Sequence, residues 1–252
     1  MFINSSEYKR MAEVEICHWW YRILRRLTIT AIENHFKEKN ISVLDAGCGT
    51  GGLLKHLLKK GYKNVEGFDL AEVAVSFCTA RGLNVTLGDI KQTSVIVSKH
   101  DYDVVVSNDT LYFYADPAEH RKIVWGFCEV LRKGGILVLN LPAFNLFGGI
   151  HDIAVGGKYR FTKRDIKHLF DSSSFQVQTC IYWPLFLSPA IFIIRSLQKI
   201  KLRLLKNMEI KSDIDLPSAW TNNLLYKIVS FENFICKWKP FGSSLFVVAK
   251  KI

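Results

Sequence analysis

The sequence feature that most constrains the fold is a glycine-rich turn within residues 43–52, where an acidic residue precedes three alternating glycines by two positions. Apolar residues before the turn predict a buried parallel strand, and leucines after it recur at helical spacing. The glycines therefore lie where a strand passes into a helix. Glycine adopts positive φ there and lets a ligand approach the backbone without meeting a Cβ atom. We expect a ligand to rest on Gly47, Gly49 and Gly51.

Two cofactors fit this turn, and one carboxylate separates them. Gly47, Gly49 and Gly52 match the dinucleotide-binding pattern, and Asp69 follows about twenty residues later, as that pattern also expects. Asp45, however, would repel a pyrophosphate above the following helix and would attract a cationic ligand. S-adenosylmethionine carries a sulfonium and an ammonium group and no phosphate. The sequence therefore favours S-adenosylmethionine over a nicotinamide cofactor.

The composition indicates an acidic partner. The chain has 252 residues, enough for a sizeable core, and 34 Lys and Arg against 23 Asp and Glu give a net charge of +11. Phosphate, nucleic acid and an anionic membrane surface all fit this excess. The six cysteines lack the spacing of paired metal ligands, and no secretory signal opens the chain. We predict reduced thiols, no metal site and a cytoplasmic protein.

Strand and helix patterns alternate after the glycine turn, which implies βαβ units and a mainly parallel sheet. Asp116 followed by Pro117 predicts one helix start, because Asp caps helices and Pro suits their first position. Thr162 with Asp165 three residues later predicts another. The predicted strands cover residues 64–69, 84–87, 102–107 and 135–141, and the predicted helices cover 71–81 and 117–132.

Two further strand patterns, at residues 175–183 and 243–250, are separated by about sixty residues, too many for a plain loop. The intervening chain contains an apolar run at 181–194, a basic run at 195–206 without an acid, and a helical pattern at 219–237. The apolar run is shorter than the ~20 residues that span a bilayer. We predict a helical lid over the substrate, with a membrane-surface segment as the alternative.

Residues 40–142 resemble the class I S-adenosylmethionine-dependent methyltransferases. The resemblance lies in the run Asp-Ala-Gly-Cys-Gly-Thr-Gly at 45–51, in Asp69, and in Gly-Asp-Ile at 88–90. It continues through 102–106 and 131–137. The implied fold is α/β, a Rossmann-like doubly wound sheet of seven strands whose C-terminal strand is antiparallel. We expect an N-terminal helical cap at 1–39, a cofactor-binding core at 40–180, a helical insertion at 181–240 and the final strand at 241–252.

The resemblance implies cofactor contacts at the ends of four strands. The backbone of the glycine turn, together with Cys48, would hold the methionine portion, and Asp45 would lie near its ammonium group. Asp69 would accept hydrogen bonds from both ribose hydroxyls, because a carboxylate has two acceptor oxygens. The remaining implied contacts are Asp89 to the adenine amine, Leu70 and Ile90 on the two faces of the ring, and Ser107 and Asn108 at the end of the fourth strand.

The segment after the fifth strand contains the candidate catalytic residues. Histidine is a common general base, so His151 could take a proton from a hydroxyl or an amine, with Asp152 or Tyr159 assisting. A loop hydrogen bond is the alternative role for this histidine. Many small-molecule members of the family carry Leu-Glu-His after the fourth strand, whereas this chain has Leu-Tyr-Phe at 111–113. Any general base must therefore come from elsewhere, or the substrate must not need one.

Aromatic residues outside the glycine turn are the candidate substrate contacts. In a subset of the family a leading helix covers the cofactor pocket, and residues 15–22 resemble it. Its aromatic residues could equally belong to the core. The predicted substrate contacts are Trp19, Trp20, Tyr21, Tyr112 and Trp183.

These observations predict methyl transfer by in-line displacement to an apolar or aromatic small molecule, such as a specialised metabolite. A methyltransferase acting on a lipid-linked or glycan intermediate at an anionic membrane surface is one alternative, and a non-catalytic S-adenosylmethionine-binding protein is another. The Asn-Pro-Pro-aromatic motif of base-amino methyltransferases is absent, because the fourth strand ends in Ser-Asn-Asp-Thr at 107–110. A nucleic-acid substrate is therefore disfavoured. The sequence does not indicate an oligomeric state.

Overall fold

The computed structural model describes residues 5–170, 174–204 and 214–252, and a seven-stranded sheet forms its centre. The strands are β1 (Ser42–Ala46), β2 (Asn64–Asp69), β3 (Val85–Leu87), β4 (Tyr102–Asn108), β5 (Leu131–Pro142), β6 (Phe175–Trp183) and β7 (Ser244–Lys251). Across the sheet they run in the order β3-β2-β1-β4-β5-β7-β6. Neighbouring strands are parallel, except that β7 lies antiparallel between β5 and β6. The predicted Rossmann-like fold with an antiparallel C-terminal strand is confirmed.

Helices cover both faces of the sheet. They are α1 (Ser5–Val14), α2 (Trp19–His35), α3 (Gly52–Lys59), α4 (Glu72–Ala80), α5 (Thr93–Ile96), α6 (Pro117–Val130), α7 (Ile150–Val155), α8 (Lys163–Leu169), α9 (Ser188–Leu204) and α10 (Ala219–Ile235). One core lies between the sheet and α6 and α8, and the other lies between the sheet and α2, α3 and α10. Successive strand residues alternate between them, so Leu44 packs in the first and Val43 in the second.

The two helix starts predicted from capping residues are present. The carboxylate of Asp116 accepts a hydrogen bond of 2.8 Å from the backbone N–H of Ala118, and Pro117 is the first residue of α6. The carboxylate of Asp165 accepts one of 2.7 Å from the backbone N–H of Thr162 at the start of α8. These caps satisfy backbone donors that have no partner within the helix.

The insertion between β6 and β7 contains α9 and α10. Strand β6 continues to Trp183, three residues beyond the expected end of the core at 180, so the insertion starts with Pro184. Lys206, in the predicted basic run, lies outside the described residues. Within the described ranges, no helix is both long and apolar enough to cross a membrane.

A buried ion pair holds α10 against the chain that leaves β6. Glu232 accepts hydrogen bonds of 2.7 Å from the backbone N–H groups of Leu185 and Phe186, and Lys239 Nζ lies 2.8 Å from its other oxygen. Both charged side chains are almost fully buried. Burial of two charges is tolerated because each neutralises the other.

We expect Glu232→Gln to lower the free energy of unfolding by about 3–5 kcal/mol, because it leaves Lys239 buried without its countercharge. Urea unfolding followed by circular dichroism measures this loss. Glu33→Gln is the matched control, since Glu33 pairs with Lys60 at 3.2 Å on the surface, where the exposed fractions of the side chains are 45% and 40%. It should cost less than about 1 kcal/mol. Equal losses in the two variants would contradict this account.

Candidate functional site

A cavity of about 600 Å³ opens at the carboxyl ends of the parallel strands. Its floor comes from the residues that follow β1, β2, β3 and β4, and its cover comes from α1, α2 and the insertion. The volume falls within the range of small-molecule sites, about 300–1,000 Å³. In open α/β sheets ligands bind at this edge, where strand order reverses. Here β1 is the reversal point, because β2 and β4 lie on its two sides.

The glycine turn forms one wall of the cavity. Gly47 and Gly49 have φ values of 81° and 55°, in the left-handed region that favours glycine. A Cβ atom on Gly47 would overlap the methyl group of Thr110, and one on Gly49 would lie 2.9 Å from Met11 Cε. The turn therefore presents bare backbone to the cavity and permits close contact with its neighbours.

Asp45 and Asp69 place two carboxylates beside the turn. Asp45 is buried at the end of β1, and burial, followed by the negative charges of Asp69 and Glu15, raises its pKa to about 8. Burial also raises the pKa of Asp69. The three causes of the Asp45 shift all disfavour the ionised form. A cationic ligand in the cavity would reverse this effect.

Helix α1 lies over the glycine turn, and side chains in and just after this helix form hydrogen bonds with Asp69 and with the turn. The Tyr8 hydroxyl donates a hydrogen bond of 3.1 Å to Asp69 Oδ1, and the Gly49 N–H donates one of 2.8 Å to Asp69 Oδ2. Just after α1, Glu15 accepts from the Thr50 hydroxyl at 2.6 Å and from the Gly52 N–H at 3.1 Å. Side-chain hydrogen bonds thus connect the N-terminal segment to the glycine turn.

The wall beyond β3 contains Asp89, Ile90 and Leu70. Asp89 Oδ1 already accepts hydrogen bonds from the Lys91 N–H at 2.9 Å and from the Tyr114 hydroxyl at 2.8 Å. The side chains of Leu70 and Ile90 add an apolar surface beside this carboxylate. This part of the cavity therefore suits a flat ring with a polar edge.

The opposite end of the cavity, which we term the acceptor half, is mostly apolar and aromatic. Tyr21 and Tyr112 face it from α2 and from the turn after β4, while α7 and α9 close its outer side. Its further lining includes Phe147, His151, Val155, Leu187, Ile191 and Ile194.

Asp109 is a partly buried carboxylate in the acceptor half, directly after β4. Its φ is 54°, a conformation that non-glycine residues rarely adopt and that concentrates at functional sites. The Asn140 amide donates hydrogen bonds of 3.0 and 3.1 Å to its two oxygens. Burial raises the pKa of Asp109 to about 7, and Asn140, His151 and Arg160 limit the rise. A carboxylate with this pKa can exchange a proton near neutral pH.

Arg160 and Asp152 form an ion pair on the acceptor side. The guanidinium contacts both carboxylate oxygens, at 2.8 and 3.1 Å, and also donates a hydrogen bond of 3.0 Å to the Ala143 carbonyl. Asp152 additionally accepts from the Gly149 N–H at 2.9 Å at the start of α7. Its oxygens are therefore engaged in holding Arg160 and α7, which argues against the predicted assistance to His151.

A family model described as a methyltransferase domain matches residues 37–182, which is more than half of the chain. The chain belongs to this family. The match confirms the predicted class I methyltransferase resemblance and, with it, S-adenosylmethionine as the cofactor. The matched residues include the glycine turn and the acids at the ends of the first three strands.

Curated relatives of this methyltransferase domain match it over part of its length. The trans-aconitate 2-methyltransferase of Mycolicibacterium gilvum is 31% identical over 40% of this chain and 37% of its own length. The ubiquinone biosynthesis O-methyltransferase of Hydrogenovibrio crunogenus is 30% identical over 43% of this chain and 46% of its own. The chain thus spans less than half the length of each of these two relatives.

Solved structures share the fold of this domain at low sequence identity. A protein of Haloferax volcanii, solved with the Trm112 methyltransferase activator, has a TM-score of 0.59 and 16% identity, covering 98% of this chain and 93% of its own. An S-adenosylmethionine-dependent methyltransferase of Archaeoglobus fulgidus has a TM-score of 0.52 and 16% identity, covering 90% and 94%. These likenesses concern the fold alone.

Most of the residues predicted from the sequence line the cavity. On the cofactor side they are Asp45, Gly47, Cys48, Gly49, Asp69, Leu70, Asp89, Ile90 and Asn108. In or near the acceptor half they are Trp19, Trp20, Tyr21, Tyr112, His151 and Asp152.

Four predicted site residues do not line the cavity, because each has another partner. Gly51 caps α3, where a Cβ atom would overlap Leu83, and the Ser107 hydroxyl donates to the Ala46 carbonyl at 2.7 Å. The Tyr159 hydroxyl donates to Asp165 at 3.1 Å. Trp183 is fully buried, and its indole N–H donates to Asn140 at 2.8 Å. The cavity lining gives no support to the predicted contacts of these four residues, which stay predictions.

The sequence reasoning missed several residues that the fold brings to the cavity. Tyr8 and Met11 arrive from α1, for which the pattern gave no signal beyond its position before the aromatic segment. The sequence does contain a signal for Asp109, since this residue lies two positions past the end of the strand predicted at 102–107, and that end faces the site. Arg160 lies in the segment that contains the candidate catalytic residues, but its ion pair with Asp152 could not be identified from spacing alone.

Proposed function

We propose that this methyltransferase domain transfers the cofactor's methyl group to a hydroxyl of an apolar or aromatic small molecule held in the acceptor half. One observation carries the proposal. A single cavity joins the acidic, glycine-lined cofactor wall to an apolar chamber that contains the partly buried carboxylate of Asp109.

The cofactor wall fits S-adenosylmethionine in its charge. Asp45 would hold the amino group, because its buried carboxylate lies among negative charges and would gain from a cation. Asp69 would hold the ribose hydroxyls, with Tyr8 releasing the oxygen to which it now donates. Asp89 would accept from the adenine amine between Leu70 and Ile90.

The chain's main task is then to position the acceptor. S-adenosylmethionine supplies a methyl group already activated on a sulfonium. Tyr21, Tyr112 and the apolar wall of α9 would orient the acceptor and exclude water. Alignment of reacting groups near 3 Å contributes up to ~7–11 kcal/mol in well-oriented cases.

Asp109 is the residue best placed to take the acceptor's proton. Its carboxylate lies in the cavity, and the Asn140 amide fixes both oxygens. In methyl transfer the acceptor oxygen would bond to the methyl carbon, the carbon–sulfur bond would break with its electron pair left on sulfur, and the Asp109 carboxylate would take the hydroxyl proton. His151 lines the same chamber and, with Arg160, electrostatically favours the ionised carboxylate. One relative is named an O-methyltransferase, which supports an oxygen acceptor.

A lipid-linked acceptor is the second candidate, and the position of α9 favours it. This helix lines the acceptor half on one side and exposes Ile193 and Leu197 on the other. A non-catalytic cofactor-binding protein would have no use for a proton acceptor in the chamber, so Asp109 argues against that alternative.

Methyl transfer is tested by incubating the protein with trideuteromethyl S-adenosylmethionine and a panel of phenols, isoprenoid alcohols, amines and carboxylic acids. Mass spectrometry of the organic phase should detect the deuterated methyl group on phenols or alcohols. Transfer to carboxylic acids alone, or no transfer to any member although the cofactor binds, would contradict the proposal.

The raised pKa of Asp45 predicts proton-linked cofactor binding. Below pH 8 the unbound carboxyl is largely protonated, and a cationic amino group would favour its ionised form, so binding should release a proton. Affinity for S-adenosylmethionine should therefore rise by up to about tenfold between about pH 6 and pH 7. Calorimetry in buffers of different ionisation enthalpy measures the released proton. Asp45→Asn should remove the release, and its absence in the unmodified protein would rule out this role.

A further inference from the structure

Helix α9 exposes an apolar face to solvent. Ile193, Leu197, Ile200 and Leu204 follow each other at intervals of four, three and four residues, which places them on one side of the helix. Their exposed fractions are 57%, 60%, 53% and 75%. We call these four residues the α9 outer face. Soluble proteins rarely leave a continuous apolar face of this kind uncovered unless it meets a partner.

A different side of α9 lines the cavity. Leu187, at its start, and Ile191 and Arg195, within it, line the acceptor half of the cavity. One side of the helix therefore forms the cavity wall, and the outer face is a separate apolar surface. The outer face is not needed to complete the core, since its residues belong to neither core cluster.

The charges on α9 specify the kind of partner. The helix has no acidic residue between Ser188 and Leu204, and Lys201 is exposed at the edge of the outer face. Lys199 Nζ donates to the Asn145 and Leu146 carbonyls at 3.4 and 3.2 Å, which holds its ammonium group against the turn before α7. An apolar face with a lysine at its edge and no acid matches the interface of an anionic bilayer, where acyl chains lie beneath negative headgroups.

We propose that α9 docks this chain on an anionic membrane surface, with its outer face in the headgroup region and Lys201 against lipid phosphates. The docked helix would place the wall of the acceptor half next to the bilayer. Docking is independent of methyl transfer, whereas the entry of a membrane-dissolved acceptor through this wall rests on the function proposed above.

Vesicle co-sedimentation tests the docking without cofactor or acceptor. The protein should pellet with vesicles of phosphatidylcholine and phosphatidylglycerol in equal parts, and much less with phosphatidylcholine alone. Added salt should weaken the binding, because screening reduces attraction between lysines and headgroups. The double variant Leu197→Asp, Ile200→Asp should lower the partition coefficient by about tenfold or more, since it places charges where apolar contact is needed.

Two further variants separate the contributions. Lys201→Gln should reduce the preference for anionic over neutral vesicles. Val95→Asp is the matched control, because Val95 is 82% exposed on α5, outside the outer face, and its binding should equal that of the unmodified protein. Circular dichroism and S-adenosylmethionine binding should be unchanged in every variant, since all the substituted residues lie outside the cofactor wall.

Three results would overturn the proposal. The first is no binding of the unmodified protein to anionic vesicles. The second is equal binding by the Leu197→Asp, Ile200→Asp variant, or an equal loss in Val95→Asp. The third is a dimer in light scattering that this double variant converts to a monomer while vesicle binding is absent, which would assign the outer face to a second copy of the chain.

Discussion

Asp69→Ala should weaken S-adenosylmethionine binding by about 10²- to 10⁴-fold. The carboxylate is expected to accept two ribose hydroxyls, and a hydrogen bond to a charged group contributes about 1.5–3 kcal/mol. Two lost bonds give about 3–6 kcal/mol, which corresponds to that range of dissociation constants. Isothermal titration calorimetry measures the change directly.

Two controls distinguish the ligand contact from a general loosening of the turn. Asp69 also accepts hydrogen bonds from the backbone N–H groups of Gly49 and Ala71, so thermal melting must show that Asp69→Ala remains folded. Tyr8→Phe removes only the hydroxyl that donates to Asp69, and it should leave cofactor affinity equal or slightly higher. Asp101→Ala removes an exposed acid and should change nothing. Cofactor binding by Asp69→Ala equal to that of the unmodified protein would refute the assignment.

Asp109→Asn should lower the turnover number by about 10²- to 10⁴-fold, the usual contribution of a general base, while cofactor affinity stays unchanged. The substitution keeps the size of the side chain but removes its ability to accept a proton. It is assayed with whichever phenol or alcohol the unmodified protein methylates.

The pH profile separates proton transfer from positioning. In the unmodified protein kcat/KM should rise as pH increases through about 7, because Asp109 must be ionised to act as a base and its pKa lies there. Asp109→Asn should lose this rise, and the exposed-acid control Asp101→Asn should keep both the rise and the rate. His151→Ala should shift the rise to higher pH and slow turnover less, since His151 helps to ionise Asp109. A full rate in Asp109→Asn with the same pH profile would exclude Asp109 as the base.

Most residues of the cofactor wall could be identified from the sequence because each lies next to the end of a predicted strand. The turn at residues 45–51 follows a strand directly, and the acids at 69 and 89 end the next two strands. Carboxyl ends of parallel strands meet at one edge, so these residues come together once the alternation is recognised. The antiparallel final strand was implied by the family resemblance, and the helical insertion by the sixty residues between the last two strand patterns.

The acceptor side depended on contacts between distant parts of the chain. The sequence predicts that Trp183 contacts the substrate, but this residue is buried, and its single indole N–H donates to the Asn140 side-chain oxygen. That bond orients the amide so that its NH₂ group faces Asp109. Trp183 thus acts on the site through two other residues, a relationship that spacing between 109, 140 and 183 does not reveal.

The central claim concerns how one cavity is divided between cofactor and acceptor, and a crystal structure with S-adenosylhomocysteine tests it most directly. We predict the ligand's amino group within hydrogen-bond distance of Asp45, its ribose hydroxyls on Asp69 in place of Tyr8, and its sulfur directed towards the half that contains Tyr112 and Asp109. A ligand bound in the reverse direction, or with its sulfur closed off from Asp109, would contradict the account.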